Sequence, residues 1–233
     1  MFLKNVFLII AYLALVGSID YPAFAQNNAI IKYQAELKGG FQAEFTLAIV
    51  GAQSLYKHLE EPDKRTNDQG WEFYQYKDHI YWYYNSATGK IIEKRMKDGY
   101  PTLIAEWTEK MEWTITDEIK TIKGYTVQKA IRRSLNLSDD HDDGDVIAWF
   151  AVDLPFSTGP ERYHGLPGLI LQLEFTNSRQ EFMLQEITFP DDLKIKPPTG
   201  GIQVSKEQVL RPYDRIDKKW LKAERKRLDM EVN

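Results

Sequence analysis

The sequence predicts a mainly β protein: an antiparallel curved sheet, half-barrel or sandwich-like, with a C-terminal α-helix. Three observations lead there. Phe41, Ala43, Phe45, Leu47 and Ile49 alternate with Gln42, Glu44, Thr46, Ala48 and Val50, the period-2 pattern of a half-buried strand. Short apolar runs then follow one another, separated by turn-forming pairs such as Lys123-Gly124, Asp143-Gly144, Gly159-Pro160 and Asn177-Ser178. Helical spacing emerges only after Ser205. Many short strands joined by turns build a sandwich or a partial barrel.

The first expected element is the alternating strand over 41–50. Trp71 to Tyr84 reads as two strands with a tight turn near Lys77-Asp78. Asn85 to Gly89 supplies turn residues before a strand at Lys90 to Met96, and Asp98-Gly99 marks the next turn. Further strands are expected at Leu103–Trp107, Trp113–Ile122, Tyr125–Arg133, Val146–Asp153, Leu169–Phe175 and Glu181–Phe189. Pro197-Pro198-Thr199-Gly200-Gly201 connects to the helix, where Ser205 and Gln208 make a capping box. Tyr213, Ile216 and Trp220 recur at helical spacing, and Pro212 kinks or restarts the helix. Lys218, Lys219, Lys222, Arg225, Lys226 and Arg227 read as its solvated face, some of them suiting the negative end of the helix dipole.

The first residues predict export. Lys4 precedes an apolar core, Val6 to Gly17, too short to span a membrane. Ala23-Phe24-Ala25 then offers small residues at the −3 and −1 positions of a signal-peptidase site. Residues 1–25 are thus expected to be a signal peptide. Residues 26–233 are expected to form a single domain, with no transmembrane segment after cleavage and a periplasmic or secreted location. The chain contains no cysteine, which excludes disulfides, thiolate metal sites and thiol nucleophiles. A net charge of −4 gives no reason to expect nucleic acid as a partner.

Gly165-Leu166-Pro167-Gly168-Leu169-Ile170 is the most informative run. Pro167 and Gly168 fit the two central positions of a type II turn, proline presetting φ and glycine accepting a positive φ. Upstream lie Glu112-Trp113-Thr114-Ile115-Thr116-Asp117-Glu118-Ile119-Lys120, then Gly124-Tyr125, Ala148-Trp149-Phe150 and Pro155-Phe156-Ser157-Thr158-Gly159-Pro160. In these residues the chain resembles the GLPGLI family. The family has no established activity to carry over. The resemblance implies a periplasmic location and an accessory role beside an outer-membrane transporter of the TonB-dependent type. Val127 stands where many members carry a cysteine, so no thiol role is implied there.

Asp153 to His164 joins two apolar strands through a Pro- and Gly-rich loop, and loops of this length often carry binding function. The candidate ligand- or partner-binding residues are Phe156, Ser157, Tyr163, Gly165, Leu166, Pro167 and Gly168, although the same glycines and proline also serve a purely structural corner. Asp153, Ser157 and His164 tempt a nucleophile–base–acid reading, but no G-x-S-x-G elbow accompanies them. The acidic run Asp139 to Asp145 fails the EF-hand pattern, with His141 at its third and Phe150 at its twelfth position, and reads as a solvated hairpin tip with weak calcium binding as the alternative. Tyr74, Tyr76, Tyr81, Trp82, Tyr83 and Tyr84 either pack the core on alternate faces or expose an aromatic surface to a ligand.

The expected function is therefore a non-catalytic exported binding or accessory protein, with no catalytic residue, metal or cofactor. It would serve an apolar or extended ligand, an outer-membrane transporter or another envelope protein. A hydrolase using the 153–164 loop and a structural envelope protein are the competing readings.

Overall fold

The computed structural model describes residues 27–37, 41–58, 63–66, 72–75, 79–97, 100–134 and 144–210. The expected leader, the turns at Lys77-Asp78 and Asp98-Gly99, the acidic residues Asp139–Asp143 and the helical positions after 210 lie outside these residues.

From Asn28 the chain lays down β1 (Asn28–Leu37), β2 (Phe41–Val50) and β3 (Gln53–His58) as neighbouring antiparallel strands. β4 (Asp63–Thr66) and β5 (Glu72–Gln75) pair only with each other among the described residues. β6 (His79–Asn85), β7 (Lys90–Met96) and β8 (Leu103–Thr108) then extend the main sheet outward from β3. The second half contributes β9 (Thr114–Ile122), β10 (Tyr125–Arg132), β11 (Val146–Ala151), β12 (Leu169–Phe175) and β13 (Glu181–Thr188). β14 (Ile202–Gln203) and a one-turn helix, α1 (Lys206–Val209), complete the described chain.

Twelve of these strands form one sheet in the order β14-β8-β7-β6-β3-β2-β1-β13-β12-β11-β10-β9. Every pairing is antiparallel except the two-residue contact of β14 with β8. The halves of the chain meet at β1, which pairs with β2 on one side and β13 on the other.

The connections dictate the shape. β8 ends at Thr108 and β9 begins at Thr114, so an extended chain between them reaches about 20 Å. The two strands are ten positions apart in the sheet, which would be about 48 Å if it were flat. The sheet must therefore curl until its ends come within one short connector of each other.

The core lines one face of this curl. Ala29, Ile31, Tyr33 and Ala35 of β1 are fully buried, as are Leu171, Leu173 and Phe182. Phe45 stacks on Tyr56 at 5.3 Å and meets Phe182 edge-on at 5.5 Å, so the aromatic content goes into packing across strands. At the β8 end, Leu103, Ala105, Ile202, Val204 and Val209 form a smaller cluster under the capping box of Ser205 and Gln208.

Between the two clusters lies a buried charged group. Glu93 of β7 is fully buried, accepting from Trp82 Nε1 at 3.1 Å and from Arg95 Nε at 2.8 Å. Burial raises the pKa of its carboxyl, while Arg95 and Arg162 pull it back.

The expected strands are present within a residue or two of their predicted limits, and β7 and β12 match throughout. The sequence reading needs three corrections. The two strands read into 71–84 are not partners: β5 pairs with β4, and β6 lies between β3 and β7. β1, β3, β4 and β14 form where the sequence pattern predicts no strand. The helix, where described, is one turn rather than a substantial element. Trp82 and Tyr83, adjacent on β6, are both buried because both faces of that strand are covered, and Tyr83 donates its hydroxyl to Gln53 at 3.1 Å.

Candidate functional site

The loop over 152–168 leaves β11 and returns to β12, the neighbouring strand. It is tied down by its own backbone. Phe156 N–H donates to the Leu154 carbonyl and Thr158 N–H to that of Phe156, while Leu169 N–H returns to Leu154 at 2.8 Å and Ile170 N–H to Thr158 at 3.1 Å. Leu154, Phe156, Tyr163 and Leu166 point into the core. The loop is a compact plug on the inner face of the curled sheet.

Side chains from distant strands pin it there. Ser54 Oγ of β3 lies 3.0 Å from Thr158 Oγ1, and Tyr84 of β6 lies against the ring of His164, centroids 4.0 Å apart. Trp113 Nε1, just ahead of β9, donates to the His164 carbonyl at 2.8 Å. His164 is buried, with Nδ1 2.8 Å from the Arg162 carbonyl and Nε2 3.2 Å from that of Glu109. A neutral imidazole has one N–H and can serve one of these carbonyls; a protonated ring serves both. Either way both nitrogens face backbone carbonyls rather than Ser157 or Asp153, and Asp153, Ser157 and His164 do not assemble as a relay. Asp153 is exposed.

The hexapeptide is a corner, but not the type II turn expected. Positive φ occurs at Gly165 (+92°), whereas Gly168 does not adopt it. Gly168 is required for a different reason. A Cβ there would stand 2.0 Å from the Ala151 carbonyl oxygen, because the backbone passes directly over the end of β11.

Where the corner meets the β8–β9 connector there is a half-open cleft of about 690 Å³. Its walls are the connector Glu109–Trp113, the start of β9, Ile131–Arg133 at the end of β10, and Gly165 with Leu166. Glu109 is engaged by Trp107 Nε1 at 3.2 Å and Lys206 Nζ at 2.8 Å. Arg133 is paired with Asp145, whose other oxygen accepts from Ser134 N–H at 3.0 Å. Asp145, the described end of the acidic run, is thus occupied in closing the neck between β10 and β11.

Of the residues predicted for the site, Gly165 and Leu166 line this cleft. Phe156 and Ser157 line a separate recess of about 90 Å³ with Ser54 and Tyr84. Tyr163 is a core residue, its ring 6.2 Å from Trp113 and 5.8 Å from Phe175, with its hydroxyl pKa pushed up to about 12 by burial. Pro167 is exposed and Gly168 is buried beneath Ala151. Sequence reasoning missed Met111 and Ile131–Arg133. The signal available for the first was its place beside Trp113, one of the residues carrying the resemblance.

A family model described as "Protein of unknown function (Porph_ging)", the GLPGLI family, matches residues 133–172. That span begins at Arg133 in the cleft wall and ends at Gln172 in β12. No curated protein matches the chain. Among solved structures the fold is similar to that of PNGF-II. In its P21 crystal form the TM-score is 0.57 at 16% identity, over 86% of this chain and 34% of that one. In the C2 form the TM-score is 0.51 at 17% identity, over 78% and 31%. The chain therefore spans about a third of the length of the PNGF-II chain.

Proposed function

We propose that this chain is a non-catalytic binding module that holds an extended ligand or partner segment in the cleft beside Gly165 and Leu166. The observation that carries the reading is the cleft itself, whose floor is a backbone corner locked by Gly168 against Ala151. Rigid corners of this kind hold a contact surface in shape at little entropic cost on binding. An extended ligand is preferred to a lipid, because the inner face of the curl is filled by the 152–168 plug and by Tyr33, Phe45, Tyr56 and Phe182. The curl itself favours a half-barrel over a sandwich. A hydrolytic reading is disfavoured by the engagement of both His164 nitrogens with carbonyl oxygens.

The location proposed for it, on the leader expected from the sequence, is the periplasm or outside the cell. The partner proposed there is an envelope protein, an outer-membrane transporter first among them. Native mass spectrometry of protein purified from its own envelope tests the reading. A polypeptide should accompany the native protein and be lost from Ile131→Glu, whose side chain lines the cleft. A lipid in its place would favour the apolar ligand, and an empty protein the structural role.

A further inference from the structure

The long free margin of the sheet is β9. Among the described residues it pairs with β10 alone. Its register shifts over residues 116–118, where the Gln128 amide donates to the Thr116 carbonyl and Glu118 N–H to the Thr116 hydroxyl. On either side of that irregularity alternate backbone groups point away from the sheet. Three large apolar side chains are exposed among the described residues, and two of them, Ile115 and Ile119, are on this strand, 46% and 68% exposed. An edge that combines unpaired backbone with exposed apolar side chains is built to receive another strand.

The cleft lies at one end of that edge, since Thr114 and Ile115 belong to both. A strand added antiparallel to β9 runs toward Thr114 and brings its C-terminal end into the cleft. The cations waiting there are Lys110, Arg132 and Arg133. Arg133 is spoken for by Asp145, and the carboxylate of Glu109 by Trp107 and Lys206. Arg132 is half-buried, and its charge acts on the carboxylate of Glu109 and on the hydroxyl of Tyr163. A guanidinium at the wall of such a cleft can hold a planar carboxylate through two parallel N–H donors. Glu112, the other acid of the cleft, is exposed at its rim. A second copy of this chain is a poorer occupant. Pairing β9 with itself along its full length sets Glu118 against Glu118 at the two-fold axis.

We propose that β9 accepts the extended C-terminal end of a partner polypeptide as an added antiparallel strand, its free α-carboxylate received by Arg132 in the cleft. This rests on the binding reading above and gives that ligand a chemistry and a direction. Apolar side chains at alternate positions of the guest lie along Ile115 and Ile119.

The test uses the purified protein, immobilised, with two pools of randomised decapeptides, one ending in a free carboxylate and the other amidated. The free-acid pool should be retained about tenfold more strongly, the difference a charge-assisted pair supplies. Arg132→Gln should bring the two pools level. Ile119→Asp, a change at an exposed position that leaves the thermal midpoint in place, should release both pools. Equal retention of the two pools, unmoved by Arg132→Gln but lost in Ile131→Glu, would overturn recognition of the chain end while leaving a ligand in the cleft. Retention of neither pool would overturn both readings. A dimer dissociated by Ile119→Asp would show that a second copy occupies the edge, and the proposal would fall.

Discussion

Tyr33 and Ile170 are joined by a buried hydrogen bond, the phenol of β1 donating to the Ile170 carbonyl at 2.7 Å. The contact ties the strand on which the two halves of the sheet meet to the last residue of the Gly165–Ile170 corner. Tyr33→Phe removes the donor and leaves that carbonyl dry. The expected loss is about 1–2 kcal/mol, read as a lower urea midpoint with an unchanged slope. An unchanged midpoint would mean that water reaches the carbonyl.

The two glycines of the corner should respond differently. At Gly168 an added Cβ meets the Ala151 carbonyl oxygen at 2.0 Å, a backbone atom that cannot step aside. Gly168→Ala should cost on the order of 3 kcal/mol or more. At Gly165 the nearest atom is 3.6 Å away and only the positive φ opposes a side chain. Gly165→Ala should cost about 1 kcal/mol. Equal thermal midpoints for the two variants would contradict the close approach.

His164 is assigned a structural task, with both ring nitrogens on backbone carbonyls and its ring against Tyr84. His164→Leu should lower stability by about 2–3 kcal/mol, through the loss of the ring N–H donor to a buried carbonyl and of the ring contact. Ser157→Ala should leave the unfolding free energy, read by urea titration, within about 0.5 kcal/mol of the parent. An esterase activity present in the parent and lost in both variants would reverse the assignment.

Tyr163 supplies a pH dependence. Its hydroxyl is raised from 10.0 to about 12, chiefly by burial, and burial also raises Tyr33 and Tyr56 well above the ordinary value. A group that holds its proton more tightly when folded stabilises the fold below the unfolded pKa, and that contribution is lost as pH rises through the folded one. Unfolding in alkali should therefore set in between about pH 10 and 12, with tyrosinate absorbance appearing together with loss of near-ultraviolet circular dichroism. Tyr163→Phe should narrow that loss of stability. Tyrosinate forming at an ordinary pH in the intact fold would show that the core admits water.

Most of the secondary structure was legible because its cause is local. A period of two in Phe41–Val50, turn pairs such as Lys123-Gly124, and Ser205 three residues ahead of Gln208 each act within a few residues, and the strands and cap formed there. The misreadings share a cause. β5 and β6 look like a hairpin because they are close in sequence, but they take their partners from β4, β3 and β7. The type II turn at Pro167-Gly168 was read from local preference, whereas the glycine answers to a carbonyl at the end of β11.

The candidate site was half legible for the same reason. Gly165 and Leu166 announce themselves as part of a corner. Arg132 and Ile131 do not, since nothing in their neighbourhood of sequence says that β10 ends against the β8–β9 connector. By itself the sequence determined a chain of alternating strands and a sharp Pro-Gly corner. Only the tertiary structure decided which strands touch, that the sheet curls, and where the cleft opens. Alternation and turn chemistry are settled by neighbouring residues, whereas the curl is imposed when the short Glu109–Trp113 link must join strands ten positions apart.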